Sequence, residues 1–442
     1  MTAHATPKRR VTMFVYNTMA HDARVRKEAR TLAEAGYDVT VLAVLDPGVT
    51  PREERVHGFT ILRLSRSILG ISRREMAEAK GRRAKNTERR DGAAETQRSS
   101  TPRRAERSPI SNLRSRILSL PGALLKSLLF PLRRVLVFLR FVRAALRTRA
   151  DVYHAHDLNT LLMAFTASRL HRKPLIYDTH EIATDRADMK FRWWAALLER
   201  ALIHKADRVI CTNQTRADYT QQRYHLPPPA ILRNLPAYVE PQPSALMHHR
   251  LGLPPDARIV LYQGGIQPER GLEQLIEAAP EIAGGVIVLL GSGRSKPKLV
   301  ARAAELGLGG KVYFHPAVPV DELPSWTACA YLGLQILQNT CLNHYSSLSN
   351  KLLEYMMAGV PAIASDLPEM RRVIEDTGAG MVIDASHPHE IARAVNALLA
   401  DRNLREQMAE RARQSRRRYS WEQEEQRLIE LYAGLLAGRG GR

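Results

Sequence analysis

Cysteine is scarce in this chain: Cys211, Cys329 and Cys341 are the only three among 442 residues. No pair has Cys-x-x-Cys spacing and there is no even set, which argues against a zinc site or disulfide scaffold and fits a reducing cytosol. A long apolar run is also missing, and the mean hydropathy of −0.29 excludes a polytopic membrane protein. The opening MTAHATPKRRVTMFVYN has charge but no apolar core with a cleavage site, so no secretory leader is expected. Aromatic residues make up 6% of the chain, and none falls between Arg66 and Arg116. Single-strand nucleic-acid binders stack bases on aromatics, so that gap counts against a nucleic-acid partner despite a net charge of +21.

Acids are the last shortage, and it is local. Arg66 to Arg116 holds 15 Lys/Arg against 6 Asp/Glu, and Ile117 to Ala150 holds 7 against none. These stretches carry +9 and +7, or +16 of the total +21, so the basicity belongs to a region and not to the whole surface.

What is present is ample apolar material, 44% of residues, in a chain long enough for two cores. VTMFVY reads as a buried strand, followed by a helix with Val25, Ala29, Leu32 and Ala33 on one face, a stop at Gly36, and the strand YDVTVLAVL. That βαβ opening predicts a parallel sheet with a right-handed crossover. Residues 65–112 have few large apolar side chains and read as a disordered insertion. A basic helical region follows over 113–149, with Pro131 starting its second helix. Strands recur at ADVYHAH, PLIYDTH and RVICT, and a proline-rich stretch then reads as a linker. A second series runs through RIVLYQGG, GVIVLLGSG, KVYFHPAV, AYLGLQIL and PAIASD to two final helices. The expectation is an α/β protein of two doubly wound, Rossmann-like domains facing across a cleft: 9–238 for the acceptor, a linker at 239–257, 258–415 for the donor, and a C-terminal helix at 416–437 returning to the first domain.

In YQGGIQPERGLEQLIEA, Gly264 and Gly265 would let backbone amides approach a diphosphate, with Arg270 to neutralise it. An ordinary turn with a solvated arginine has the same pattern. In SNKLLEYMMAGVPAIASDLPEM, Asn350, Lys351 and Leu352 open a helix, and Lys351 and Glu354 share a face three residues apart. A lysine at a helix N-terminus is unfavourable unless an anion lies between them, and a carboxylate one turn on suits the two hydroxyls of a ribose. The plain alternative is an exposed ion pair.

NKLLEYMMAGVPAIASDLPEM, YQGGIQPERGLEQLIEA, DVYHAHDLNTLL, PLIYDTHEI and RNLP resemble glycosyltransferase family 4. The resemblance implies the GT-B fold and retaining transfer from a nucleotide sugar, UDP- or GDP-linked, with no cofactor and no metal. It implies that Glu354 holds the ribose, that Arg270 and Lys351 hold the diphosphate, and that His180 lies near the donor sugar. Three positions depart from the pattern. Ser346 stands where an acidic residue is usual, Gly265 stands where an arginine is frequent, and YNTMAHDARV replaces a glycine-rich loop.

His156 and Asp157 end a strand and are acceptor-side candidates; His-x-His also suits a metal pair, but no third ligand is evident. Asp22 is most simply a helix cap, with acceptor contact as its second reading. Lys126, Arg133, Arg140 and Arg147 recur every seven residues, with Arg143 near the same stripe, and Val135, Phe138, Leu139, Val142, Ala145 and Leu146 lie opposite. That amphipathic helix suits an anionic bilayer, or its apolar arc packs on the N-terminal sheet. The sequence thus predicts a transferase acting on a lipid-linked or glycan acceptor in cell-envelope or polysaccharide synthesis, cytoplasmic and peripheral on the inner face of the plasma membrane. The alternatives are a sugar-nucleotide epimerase and an inactive glycan-binding module.

Overall fold

The computed structural model describes residues 8–20, 22–67, 122–182, 185 and 192–437. Most of the basic insertion and the side chain of Lys126 therefore lie outside the described residues. Two compact units result: one runs to Asp178 and takes in Ala201–Asp207, and the other holds Thr179–Arg200 and the chain from Arg208.

The first unit opens with β1 (Arg10–Phe14), α1 (Ala23–Glu34) and β2 (Asp38–Val44), and β1 pairs in parallel with β2 from Arg10↔Asp38 to Phe14↔Leu42. Next comes an antiparallel hairpin that sequence patterning had passed over, β3 (Glu53–Val56) and β4 (Phe59–Leu64). Its turn residues His57 and Gly58 both have positive φ, +48° and +81°, as a two-residue primed turn requires. α2 (Gly122–Thr148), β5 (Val152–His156), α3 (Leu158–His171) and β6 (Leu175–Thr179) follow. Within this unit the strands run in the order β3-β4-β2-β1-β5-β6, and β7 (Arg208–Cys211) and β8 (Ala230–Ile231), from the other unit, pair in parallel with each other.

Two expectations for α2 need correction. Pro131 lies inside one continuous helix and does not start a second. The local loss, roughly 3 kcal/mol for an interior proline, is offset by burial of the stripe Val137, Phe141, Ala144 and Ala145, which packs on the sheet and on α3. The proposed apolar arc is also divided. Val142 and Ala145 are buried, whereas Val135 and Leu139 face outward, each 53% exposed, beside Leu132. The buried stripe at i, i+4, i+7 and i+8 is what the sheet selects.

The second unit contains β9 (Ile259–Gln263), β10 (Val286–Leu290), β11 (Val312–His315), β12 (Leu332–Gln335), β13 (Ala362–Ser365) and β14 (Gly380–Ile383). All pair in parallel, in the order β11-β10-β9-β12-β13-β14. The order reverses between β9 and β12, and crevices at such a point are where doubly wound sheets bind ligands. The short GMVI strand β14 went unpredicted, and three helices follow it, not two. The linker itself carries a helical turn, Leu246–Leu251, whose Met247 is fully buried.

Candidate active site

At the carboxyl end of β9, Gly264 has φ +120°, and a Cβ there would lie 2.6 Å from Lys351 Cε. The positive φ favours glycine there, and without a side chain the lysine stem crosses the strand end closely. Lys351 belongs to the first turn of α4 (Asn350–Ala358), and its Nζ sits 5.3 Å from the centre of the Tyr262 ring. Burial lowers its pKa to about 8, Arg270 pushes the same way, and Glu354 opposes them. Two cations thus share the switch point without neutralising each other, an arrangement suited to an anion. Gly265 differs: a Cβ would meet only Gln267 Cγ, at 3.5 Å, so a side chain fits there. Its carbonyl accepts the Tyr262 hydroxyl at 2.8 Å. Gly271, ahead of the helix Leu272–Ala278, has φ +75°, and a Cβ would fall 2.0 Å from the Ile336 carbonyl oxygen.

Glu354 is half-buried and accepts Gln263 Nε2 at 2.6 Å; Gln263 Oε1 in turn accepts the Thr327 hydroxyl at 2.8 Å. The carboxylate is therefore aimed by a glutamine at the end of β9, one turn from Lys351. Gln263 and Thr327 escaped the sequence reading; a glutamine ending an otherwise apolar strand was the available signal. Asn350 is exposed, whereas the Leu352 side chain is wholly buried in the core, which leaves only its backbone amide for the proposed donor contact.

Ser346 is fully buried. Its hydroxyl donates to the Leu342 carbonyl at 2.8 Å and accepts Arg216 Nε at 3.1 Å. The same guanidinium donates to the carbonyl oxygens of His180 and Asn343 and to the Thr212 hydroxyl. A cation thus occupies the surroundings of the position where the family pattern carries an acid. Sequence reasoning missed Arg216 because it follows an ordinary Asn213 helix cap. His180 is half-buried, with its carbonyl held by Arg216.

Within the first unit, His154 and His156 are both buried and their rings lie 4.1 Å apart. His156 Nδ1 is 3.8 Å from Asp178. Glu28, His156 and Asp178 offer ligand atoms within 4.8 Å of one another, two carboxylates that spacing did not reveal, and His154 is not among them. The charge they would give a cation is already met by Arg24, whose guanidinium pairs with Glu28 at 3.0 Å and Asp178 at 2.6 Å. Burial works against that charge, but Asp178 and then Glu28 hold Arg24 protonated more firmly than usual. The signal was legible: Arg24 and Glu28 fall on the buried stripe of α1 with Val25 and Leu32. Asp157 follows β5 with φ +64° and ψ 161°, a conformation costly for any residue but glycine, and makes no side-chain cap to α3. Asp22 accepts the Val25 amide at 3.1 Å and Asn17 Nδ2 at 2.7 Å, the capping role that was its simpler reading.

Residues 21–234 match the glycosyl transferase 4-like domain, and residues 245–415 match the glycosyl transferases group 1 family. This chain belongs to the group 1 glycosyltransferases. The D-inositol 3-phosphate glycosyltransferase of Thermobispora bispora is 28% identical to the transferase over 332 residues, which is 67% of the chain and 75% of the relative. Its counterpart in Xylanimonas cellulosilytica is 25% identical, over 66% and 74%. Among solved structures, sucrose-phosphate synthase from Thermosynechococcus elongatus superposes with a TM-score of 0.71 at 16% identity, covering 98% of the transferase and all of that chain. HepE of Anabaena, solved with UDP-glucose, gives 0.66 at 15% identity, over 96% and 99%. The transferase therefore has the GT-B fold, and the epimerase and inactive-module readings give way to a transferase enzyme.

Proposed function

We propose that the transferase moves a sugar from a UDP- or GDP-linked donor to a lipid-linked or glycan acceptor in cell-envelope or polysaccharide synthesis, with retention of configuration and without a metal. The observation that carries this is Lys351 lying against Gly264 at the switch point of one parallel sheet, near enough to Arg270 to feel its charge, with Glu354 one turn away. A diphosphate meets both cations and the opening amides of α4; a ribose meets Glu354. Charge fixed where the departing diphosphate gains its negative charge lowers the barrier without a separate base. The acceptor hydroxyl attacks from the leaving group's side and passes its proton to a diphosphate oxygen. His156 and Asp157 belong to the acceptor side, and His180 to the donor sugar. Complexes of HepE with UDP and with UDP-glucose support a nucleotide-sugar donor for this fold.

The acceptor reading extends to the membrane. Among the described residues no helix is long and apolar enough to cross a bilayer. On α2, however, Leu132, Val135 and Leu139 are exposed at i, i+3 and i+7, beside the exposed Arg133, Arg143 and Arg147. That face suits peripheral attachment to anionic lipid. Arg140 is withdrawn from the expected basic stripe, since it donates to the carbonyls of Ser65 and Ser67. A thermal-shift screen of nucleoside diphosphates and their sugars tests the donor assignment. A saturating donor should stabilise the fold by about 2.7 kcal/mol at a hundred times its Kd, and no shift with any nucleotide would refute it.

A further inference from the structure

One side of α2 lines an open cavity of about 470 Å³ that faces β2, β3 and β4 of the first sheet. Leu62 and Leu64 of β4, with Ala144 of α2, give it an apolar wall. Arg140, Arg143 and Arg147 line it at i, i+3 and i+7, so one helix face brings three guanidinium groups to one space. Glu53 of β3 is the single carboxylate among the lining residues, which leaves a net charge of two positive there. Arg140 is anchored by the Ser65 carbonyl at 2.7 Å and by that of Ser67, whereas Arg143 and Arg147 are exposed at the rim. Guanidinium groups at this spacing match a phosphate, which accepts paired N–H donors from planar forks. The apolar wall beside them matches hydrocarbon. Leu139, exposed one turn before Arg143, continues that surface along the helix.

We propose that this cavity binds the phosphate of an anionic membrane lipid, with the start of its acyl chains against Leu62 and Leu64. This rests on the peripheral-membrane reading and makes it specific: α2 grips one lipid and does not merely lie on a charged surface. Inorganic phosphate shares the headgroup chemistry but not the chains, so the two are separable.

The full chain is titrated calorimetrically with dihexanoylphosphatidic acid below its micelle concentration, and separately with inorganic phosphate. It is also sedimented with phosphatidylcholine vesicles with and without phosphatidylglycerol. The paired change Arg143→Gln with Arg147→Gln is compared with Arg133→Gln with Arg134→Gln, which removes equal charge from the same helix without touching the cavity. The cavity pair should weaken short-chain lipid binding at least about tenfold, as expected for losing charge-assisted bonds, and the control pair by no more than about twofold. Inorganic phosphate should bind at least about tenfold more weakly than the lipid, since it buries no hydrocarbon. Equal weakening by the two pairs, or equal affinity for lipid and inorganic phosphate, overturns the proposal. Failure of the wild-type chain to sediment with anionic vesicles removes the membrane reading by itself, and the soluble-lipid titration still decides the cavity. Unchanged melting temperatures of both variants exclude misfolding as the cause.

Discussion

Lys351 holds a charge that its surroundings disfavour, and that makes the donor site responsive to pH. Its pKa of about 8 is set by burial first and by Arg270 second. An arriving diphosphate favours the charged form, so binding takes up a proton above that pH. Affinity for a UDP- or GDP-sugar should fall as pH rises through 8, by up to about one decade per unit. Calorimetry in buffers of different ionisation enthalpy reads the proton uptake directly, and a flat profile from pH 7 to 10 would refute the role. Glu354→Ala and Arg270→Ala should each cut transfer at least about tenfold, the value of one charge-assisted contact, in proteins that still melt cooperatively; near-normal kcat/KM in either would dismiss the donor site. Ser346→Ala should leave transfer measurable, because diphosphate stabilisation does not run through that hydroxyl. These residues were legible because motif and helix phase coincide at Lys351 and Glu354. Gln263, Thr327 and Arg216 were not, because each reaches its partner from a distant segment: Gln263 and Glu354 are 91 positions apart, and Arg216 and Ser346 are 130.

At the level of elements, the long periodic segments declared themselves and the short ones did not. The βαβ opening and most of the strands of the second sheet follow from runs of branched apolar residues. The hairpin β3–β4 was hidden because EERV has little apolar content, although His57-Gly58 between two alternating runs is a turn signal. α2 shows why pattern alone stops short. Its apolar residues spread over a wider arc than one sheet contact covers, so the sheet and not the pattern decides which stripe is covered. That choice leaves Leu132, Val135 and Leu139 outside. Replacing all three with serine should release the protein from anionic vesicles while leaving its melting temperature and donor affinity intact. Losing the hydrophobic contribution of about 1.5–3 kcal/mol per fully inserted side chain would be ample for release. Undiminished sedimentation would show that this face merely tolerates water. Gly271→Ala should behave oppositely, destabilising the second unit by more than about 1 kcal/mol, because a positive φ and a clash with the Ile336 carbonyl act together.

For the molecule as a whole, the uneven charge sets how it meets a surface. With +16 of +21 confined to residues 66–150, attraction to anionic lipid should weaken steeply with salt. Donor affinity, which depends on a few close contacts, should change less, and parallel sedimentation and calorimetry across a salt series would separate the two. One strained residue bears on the whole fold in another way. Asp157 sits in a conformation that only glycine adopts freely. Asp157→Gly would relieve about 1–3 kcal/mol of backbone strain. If the aspartate serves the acceptor, a screen for heat resistance and a screen for turnover would pull this position apart, the first choosing glycine and the second restoring aspartate. The melting point of this enzyme is then partly a record of what its chemistry demands.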